Sequence, residues 1–148
     1  MKRILVGACV LVAAMSSCKK DETSTSTPLS AKSKTINALM ANSWKPDSTV
    51  YLVGTEKLVE LPEECAKDDY IEFKADGQQL LNYGANKCEP TEPATRSLTY
   101  KVNTAGDSLT IVSAPMEFAY KIQNLGSGKL ILHGATDEGT ETLYLSKK

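Results

Sequence analysis

The stretch Ser97-Leu98-Thr99-Tyr100-Lys101-Val102-Asn103-Thr104-Ala105-Gly106-Asp107-Ser108-Leu109-Thr110-Ile111 decides the fold. Leu98, Tyr100 and Val102 alternate with Ser97, Thr99 and Lys101, and the alternation resumes at Leu109 and Ile111 after Thr104-Ala105-Gly106-Asp107. Successive side chains of a strand point to opposite faces, so this period of two puts the apolar set on one side of a sheet. A helix would repeat at three and four instead. Two such runs joined by a short glycine-containing turn form an antiparallel hairpin, because glycine adopts the positive φ that the reversal needs.

The pattern continues in both directions. Phe118, Tyr120 and Ile122 alternate with Ala119, Lys121 and Gln123; Leu143 and Leu145 with Thr142 and Tyr144; Ile71 and Phe73 with Tyr70, Glu72 and Lys74. Strands are expected over 44–53, 69–74, 77–83, 95–103, 107–113, 116–124, 128–133 and 140–146. The turns Ala75-Asp76-Gly77, Gly126-Ser127-Gly128 and Asp137-Glu138-Gly139 are short, so consecutive strands are neighbours in a meander. Residues 32–41 carry Ile36, Leu39 and Met40 on one helical face, with Ser30 or Ser33 able to cap. The expected fold is all-β: a small eight-stranded antiparallel up-and-down barrel behind a short N-terminal helix. A sandwich of two sheets would show the same alternation.

The N-terminus has a different character. Met1-Lys2-Arg3 precedes an apolar run from Ile4 to Ala14, broken only by Gly7 and Cys9. Eleven helical residues rise about 16 Å, roughly half the hydrocarbon thickness of a bilayer. A basic start, a short apolar stretch and then small residues is the layout of a secretory signal peptide. Met15-Ser16-Ser17-Cys18 resembles a lipobox, the signal of bacterial lipoproteins, with Met15 standing where Leu is commonest. The resemblance implies cleavage after Ser17 and acylation of Cys18. Residues 18–32, rich in Lys, Asp, Ser and Thr, hold too little apolar surface to fold and read as a flexible tether with a reach of roughly 20–25 Å.

Each buried methylene contributes about 0.8 kcal/mol, so two or three acyl chains on Cys18 make attachment effectively permanent. Cys18-Lys19-Lys20-Asp21-Glu22 resembles the export signal of Bacteroidota lipoproteins, which implies an outer-membrane anchor displayed at the cell surface rather than on the periplasmic face. Removing residues 1–17 takes away Lys2 and Arg3, leaving 15 basic against 18 acidic residues and a net charge of −3. That balance implies no nucleic-acid partner. With Cys9 removed and Cys18 acylated, Cys65 and Cys88 remain in an oxidising compartment, where a structural disulfide is expected. They flank the open end of the hairpin that turns at Asp76-Gly77.

Trp44, Cys65 with Asp68-Asp69, the run Ile71-Glu72-Phe73-Lys74-Ala75-Asp76-Gly77, Gly84 and Cys88 together resemble the lipocalin-like domains of Bacteroidota lipoproteins. The resemblance spans most of residues 36–146, its specific part being 65–88, and it implies a lipocalin-like barrel over 33–148. The Gly-x-Trp of ordinary lipocalins is Asn42-Ser43-Trp44 here, and no Arg stands near the last strand.

No nucleophile elbow, phosphate loop or dinucleotide fingerprint occurs, so no enzymatic activity and no cofactor are expected. His133, the single histidine, has outward parity beside Leu132. Glu63, Glu64, Asp68 and Asp69 offer hard oxygens, yet Lys67 sits among them and the spacing is not that of an EF-hand; no metal site is assigned. Asp47-Ser48-Thr49 and Asp107-Ser108-Leu109 resemble the O-glycosylation sequon of these bacteria. The inward residues are large, so a mostly packed interior with a shallow pocket at one mouth is expected. Candidate pocket residues are Trp44, Phe73, Tyr83, Tyr100, Phe118 and Tyr120, with tyrosine hydroxyls orienting a ligand. These features leave three partners: a small apolar ligand, a glycan or an envelope protein. A purely structural envelope lipoprotein and a protease-inhibitor-like barrel are the alternatives.

Overall fold

A computed structural model describes residues 28–148; the signal segment, Cys18 and the tether as far as Thr27 lie outside the described residues. One helix, α1 (Ala31–Met40), precedes nine strands: β1 (Trp44–Val53), β2 (Glu56–Glu60), β3 (Tyr70–Phe73), β4 (Gln78–Asn82), β5 (Thr95–Val102), β6 (Ser108–Ser113), β7 (Met116–Gly126), β8 (Lys129–Ala135) and β9 (Thr140–Lys147). A 3-10 turn at Glu64–Ala66 lies between β2 and β3. From β3 to β9 each strand pairs antiparallel with the next, and β9 returns to β1, from Trp44 opposite Lys147 to Leu52 opposite Thr140. The result is a closed eight-stranded antiparallel barrel with β2 as an extra strand.

The alternation that defines the strands also builds the core. Tyr100, Val102, Leu109, Tyr120, Leu130, Leu132 and Leu145 are buried, with Trp44, Phe73 and Leu39 completing the cluster. Burying a leucine such as Leu109 or Leu130 contributes about 1.5–3 kcal/mol relative to exposure. The hairpin turns follow the sequence: Gly77 adopts φ +83° and Gly106 φ +73°. Gly106 is needed twice over, since a Cβ there would lie 2.7 Å from the backbone of Ala31.

That close approach seats α1 across one end of the barrel. Ser30 caps the helix, its Oγ accepting from the Ser33 N–H at 3.1 Å. Thr35 Oγ1 donates to the Gly106 carbonyl at 2.7 Å, tying the helix to the β5–β6 turn. Leu39 is fully buried and Ile36 packs against the core, whereas Met40, expected on the same face, points outward. Trp44, 1% exposed, donates from Nε1 to the Leu39 carbonyl at 2.8 Å. It thereby satisfies one of the carbonyls that a helix C-terminus leaves without a partner.

Among the described residues the opposite end has no such cover. There the expected single strand over 44–53 continues through Gly54 (φ +60°) into β2, which the alternation did not mark. β2 pairs with Thr49–Val53, whereas β3 meets the same side of β1 only where Ile71 opposes Trp44. One position in the wall is therefore shared by two strands, separated by the excursion 61–69. β4 ends at Asn82, so the wall is split at this end between β2 on one side and β3 and β4 on the other.

Candidate functional site at the split end of the barrel

The six candidate pocket residues do not surround one void. Trp44, Phe73, Tyr100 and Tyr120 are buried in the core. Phe73 and Tyr100 meet edge to face with ring centroids 5.0 Å apart. Their polar tips are already engaged: the Tyr100 hydroxyl donates to the Lys74 carbonyl at 2.8 Å, and the Tyr120 hydroxyl to Glu141 Oε1 at 2.7 Å. Tyr83 is half-buried just beyond β4, and Phe118, although inward by register opposite Ile111, is 39% exposed. The last two belong to the split end; the first four hold the barrel together.

A cleft of about 520 Å³ opens in the split. Pro46, Leu61, Pro62 and Leu81 supply apolar walls, and Glu60, Glu63 and Asp69 supply carboxylates; no basic residue lines it. Glu60 belongs to the inward face, because it opposes Thr49, which opposes Leu143. Two residues further along β1, on the same face, Tyr51 opposes Glu141. Burial, then the carboxylates of Glu60 and Glu141, raise the Tyr51 phenol above its ordinary value. Tyr120 is raised further, by burial and by its hydrogen bond to Glu141. Both phenols therefore stay protonated at neutral pH and act as hydrogen-bond donors.

Another polar group faces inward. Gln79 lies between Phe73 and Leu98 in the register and is 4% exposed, yet its Oε1 has no hydrogen-bond partner among the described residues. Its parity with Leu81 places it inward, and that parity is the signal the sequence holds for it. Gln79 is not part of the cleft, whose own polar side chains, Ser48, Thr49, Glu60, Glu63 and Asp69, offer mainly oxygens able to accept, so the cleft suits a ligand rich in N–H donors or positive charge.

The acidic group singled out from sequence holds the rim in place. Asp68 Oδ2 accepts from the Ala85 and Asn86 N–H groups at 2.7 and 3.3 Å, and Asp69 Oδ1 from Gly84 at 2.8 Å. Glu64 pairs with Lys67 instead. Gly84 is obligatory at this contact, since a Cβ would come within 2.0 Å of Asp68 Cγ. Beside it Cys65 and Cys88 form the expected disulfide, joining the 61–69 excursion to the β4–β5 connection. Among the described residues the grouping that could gather around a metal is Glu63, Cys65 and Cys88, whose sulfurs are consumed in the disulfide.

His133 lies on β8, where its Nδ1 shares a 2.9 Å hydrogen bond with Thr142 Oγ1. Of the two sequon-like stretches, Ser48 lines the cleft, while the Ser108 hydroxyl donates to its neighbour Asp107. Asp47 is held by Ser146 and Lys129; burial opposes its charge, but these hydrogen bonds outweigh that and keep the carboxyl below its ordinary value.

The split end is also where exposed apolar residues gather: Leu52, Val53, Leu58, Val59 and Leu61 on and after the β1–β2 hairpin, and Met116 and Phe118 on β7. No protein-family model and no curated protein matches the chain.

Proposed function

We propose that the protein is a non-catalytic binding module of the lipocalin-like lipoprotein kind. In this reading Cys18 is acylated and holds it on the outer membrane, displayed at the cell surface, and the ligand is taken at the split end of the barrel rather than in its interior. The supporting observation is the contrast between the two. The interior is filled by Trp44, Phe73, Tyr100, Tyr120 and leucines, whereas the split end carries an acceptor-rich cleft beside exposed apolar side chains. A cleft of about 520 Å³ falls within the range of roughly 300–1,000 Å³ typical of ligand sites. The tether would leave from the helix-covered end, because α1 begins against the β5–β6 turn, so the split end faces away from the anchor.

Of the small apolar ligand, the glycan and the envelope protein that the sequence leaves open, the protein partner has most support, because exposed Leu61 lines the cleft and exposed Leu58 and Val59 stand on the strand that leads into it. Two experiments test the reading. Cys18→Ala should move the protein from the membrane fraction to the soluble fraction; a variant that stays with the membrane removes the anchor. Native mass spectrometry and a pull-down from envelope extract, both with the Cys18-tethered chain, should recover a bound molecule or partner. Recovering neither would leave a purely structural envelope lipoprotein.

A further inference from the structure

We infer that the free edge of β2 is a docking strand for an extended, basic segment of a partner protein, a conclusion that rests on the binding-module reading and names the partner's chemistry. Among the described residues β2 pairs only with β1, and no other strand meets its second edge. On that side of β1, β3 takes over only at Trp44, and the neighbouring β4 has already ended at Asn82. The outward backbone N–H and C=O groups of Glu56–Glu60 therefore have no strand to pair with. A row of such groups is a template on which another extended chain adds by the same ladder.

The side chains say which chain. All five residues of β2 are exposed, Leu58 by 62% and Val59 by 51%. On the barrel-facing side Glu56, Leu58 and Glu60 oppose Val53, Tyr51 and Thr49. This side thus presents an apolar centre between two carboxylates, and Glu63 and Asp69 add two more in the adjoining cleft. None of these four carboxylates is in an ion pair among the described residues. The cation on the strand, Lys57, lies on the opposite face, opposite Leu52.

A second copy of the chain finds no charge complementarity on this edge, because Glu56 and Glu60 have one parity and Lys57 the other. Two antiparallel copies related by a two-fold axis keep equivalent faces together, so the pairing must centre on one residue. Centring on Leu58 sets Glu56 against Glu60 twice and centring on Lys57 opposes two lysines; centring on Val59 avoids like charges but sets Leu58 against Glu60 twice, with no attraction gained. Like charges directly opposite each other destabilise a strand pair. The same charges attract an extended segment of the pattern basic-x-apolar-x-basic. Its apolar residue meets Leu58, its basic residues meet Glu56 and Glu60, and the second of these reaches the cleft.

The test uses the full tethered chain in detergent micelles and a fluorescein-labelled peptide, acetyl-Thr-Lys-Thr-Val-Thr-Lys-Thr-amide, read by anisotropy. Two control peptides carry Glu in both Lys positions or N-methyl groups on alternate amides. The basic peptide should bind saturably, N-methylation should abolish binding, and the Glu peptide should not bind. The variant Glu56→Lys/Glu60→Lys, checked for an unchanged melting temperature, should lose about tenfold or more for the basic peptide and gain the Glu peptide. Equal binding of the basic and Glu peptides, no effect of N-methylation, or no binding at all overturns the inference. Concentration-dependent dimerisation in sedimentation that the double substitution abolishes overturns it too, since the edge then belongs to a second copy. A partner that stays on the Glu56→Lys/Glu60→Lys variant in pull-down overturns it while retaining the binding module. An empty pull-down together with an empty native mass spectrum overturns the binding module itself.

Discussion

Reducing the Cys65–Cys88 bridge should lower the melting temperature substantially without dissolving the fold, and the two halves of that expectation have separate causes. The bridge closes a loop with a sequence separation of 23. In the chain-entropy treatment a loop of that length restricts the unfolded chain by an amount equivalent to about 3.4 kcal/mol at 25 °C. For a domain of this size each kcal/mol moves the midpoint by about 4 °C, so the fall should be about 10–15 °C. The native state keeps its shape because the same two segments are joined independently, by the Asp68 and Asp69 carboxylates accepting from Gly84, Ala85 and Asn86. A hydrogen bond to a charged acceptor contributes about 1.5–3 kcal/mol, enough for the three together to hold the excursion at room temperature. Cys88 is exposed, so a soluble phosphine reaches the bond. The assay is thermal circular dichroism with and without reductant, with Trp44 emission at 25 °C reporting the native core. A midpoint that moves by less than about 3 °C would refute the entropic account. Loss of the native Trp44 signal at 25 °C would refute the claim that the aspartates suffice.

Three further perturbations probe other joints. Trp44→Phe leaves the buried Leu39 carbonyl without the donor now 2.8 Å away and should cost about 3 kcal/mol in denaturant unfolding; a cost below about 1 kcal/mol would mean that water replaces the indole. Gly84→Ala puts a Cβ where Asp68 stands and should destabilise by about 2–3 kcal/mol. In an Asp68→Ala background the same change should cost much less, and additive losses would show that the two residues are not in conflict. Burial and Glu141 raise the Tyr120 phenol above the ordinary value of 10.0. Below pH 10 both states hold the proton; above it the unfolded chain loses its proton first, so stability falls as pH rises, by at most about 1.4 kcal/mol per pH unit for this residue. Tyr120→Phe should flatten that alkaline limb by this amount, and an unchanged slope would mean that Tyr120 does not titrate differently in the two states.

What the sequence reveals of this barrel tracks what is local. The β5–β6 hairpin is legible because alternation and Gly106 agree within the 15 residues from Ser97 to Ile111, and register then follows from neighbour to neighbour. β2 fails that test: Glu56-Lys57-Leu58-Val59-Glu60 has both faces exposed, so no period of two separates apolar from polar. Its one local signal is the two-residue reversal Gly54-Thr55 between Val53 and Glu56. The inward face was legible for the same reason as the hairpins, and Phe118, Tyr120 and Leu98 all lie on it. Parity is silent on height. Whether an inward residue sits mid-barrel, as Tyr100 does, or at the rim, as Phe118 does, depends on the stagger accumulated around the closed sheet, which no single segment encodes. The candidate site suffered accordingly: Trp44, Phe73, Tyr100 and Tyr120 proved to be core, while Gln79, Glu60 and Glu141 share the inward face and mark the polar part of the interior.

The arrangement of supports gives the split a physical rationale. At the helix end the barrel is sealed by apolar burial and two hydrogen bonds, Thr35 to Gly106 and Trp44 to Leu39. At the far end one barrel position is occupied by two collinear strands, and nothing in the sheet itself prevents the intervening excursion from folding into the gap. A covalent bond and three charge-assisted hydrogen bonds, all between residues 65–69 and 84–88, prevent it instead. Cross-links serve a domain of this size best where the sheet cannot supply its own pairing. Their concentration on one rim implies that the opening between β2 and β4 is a maintained shape, which frees β2's outer edge for a chain that comes from outside.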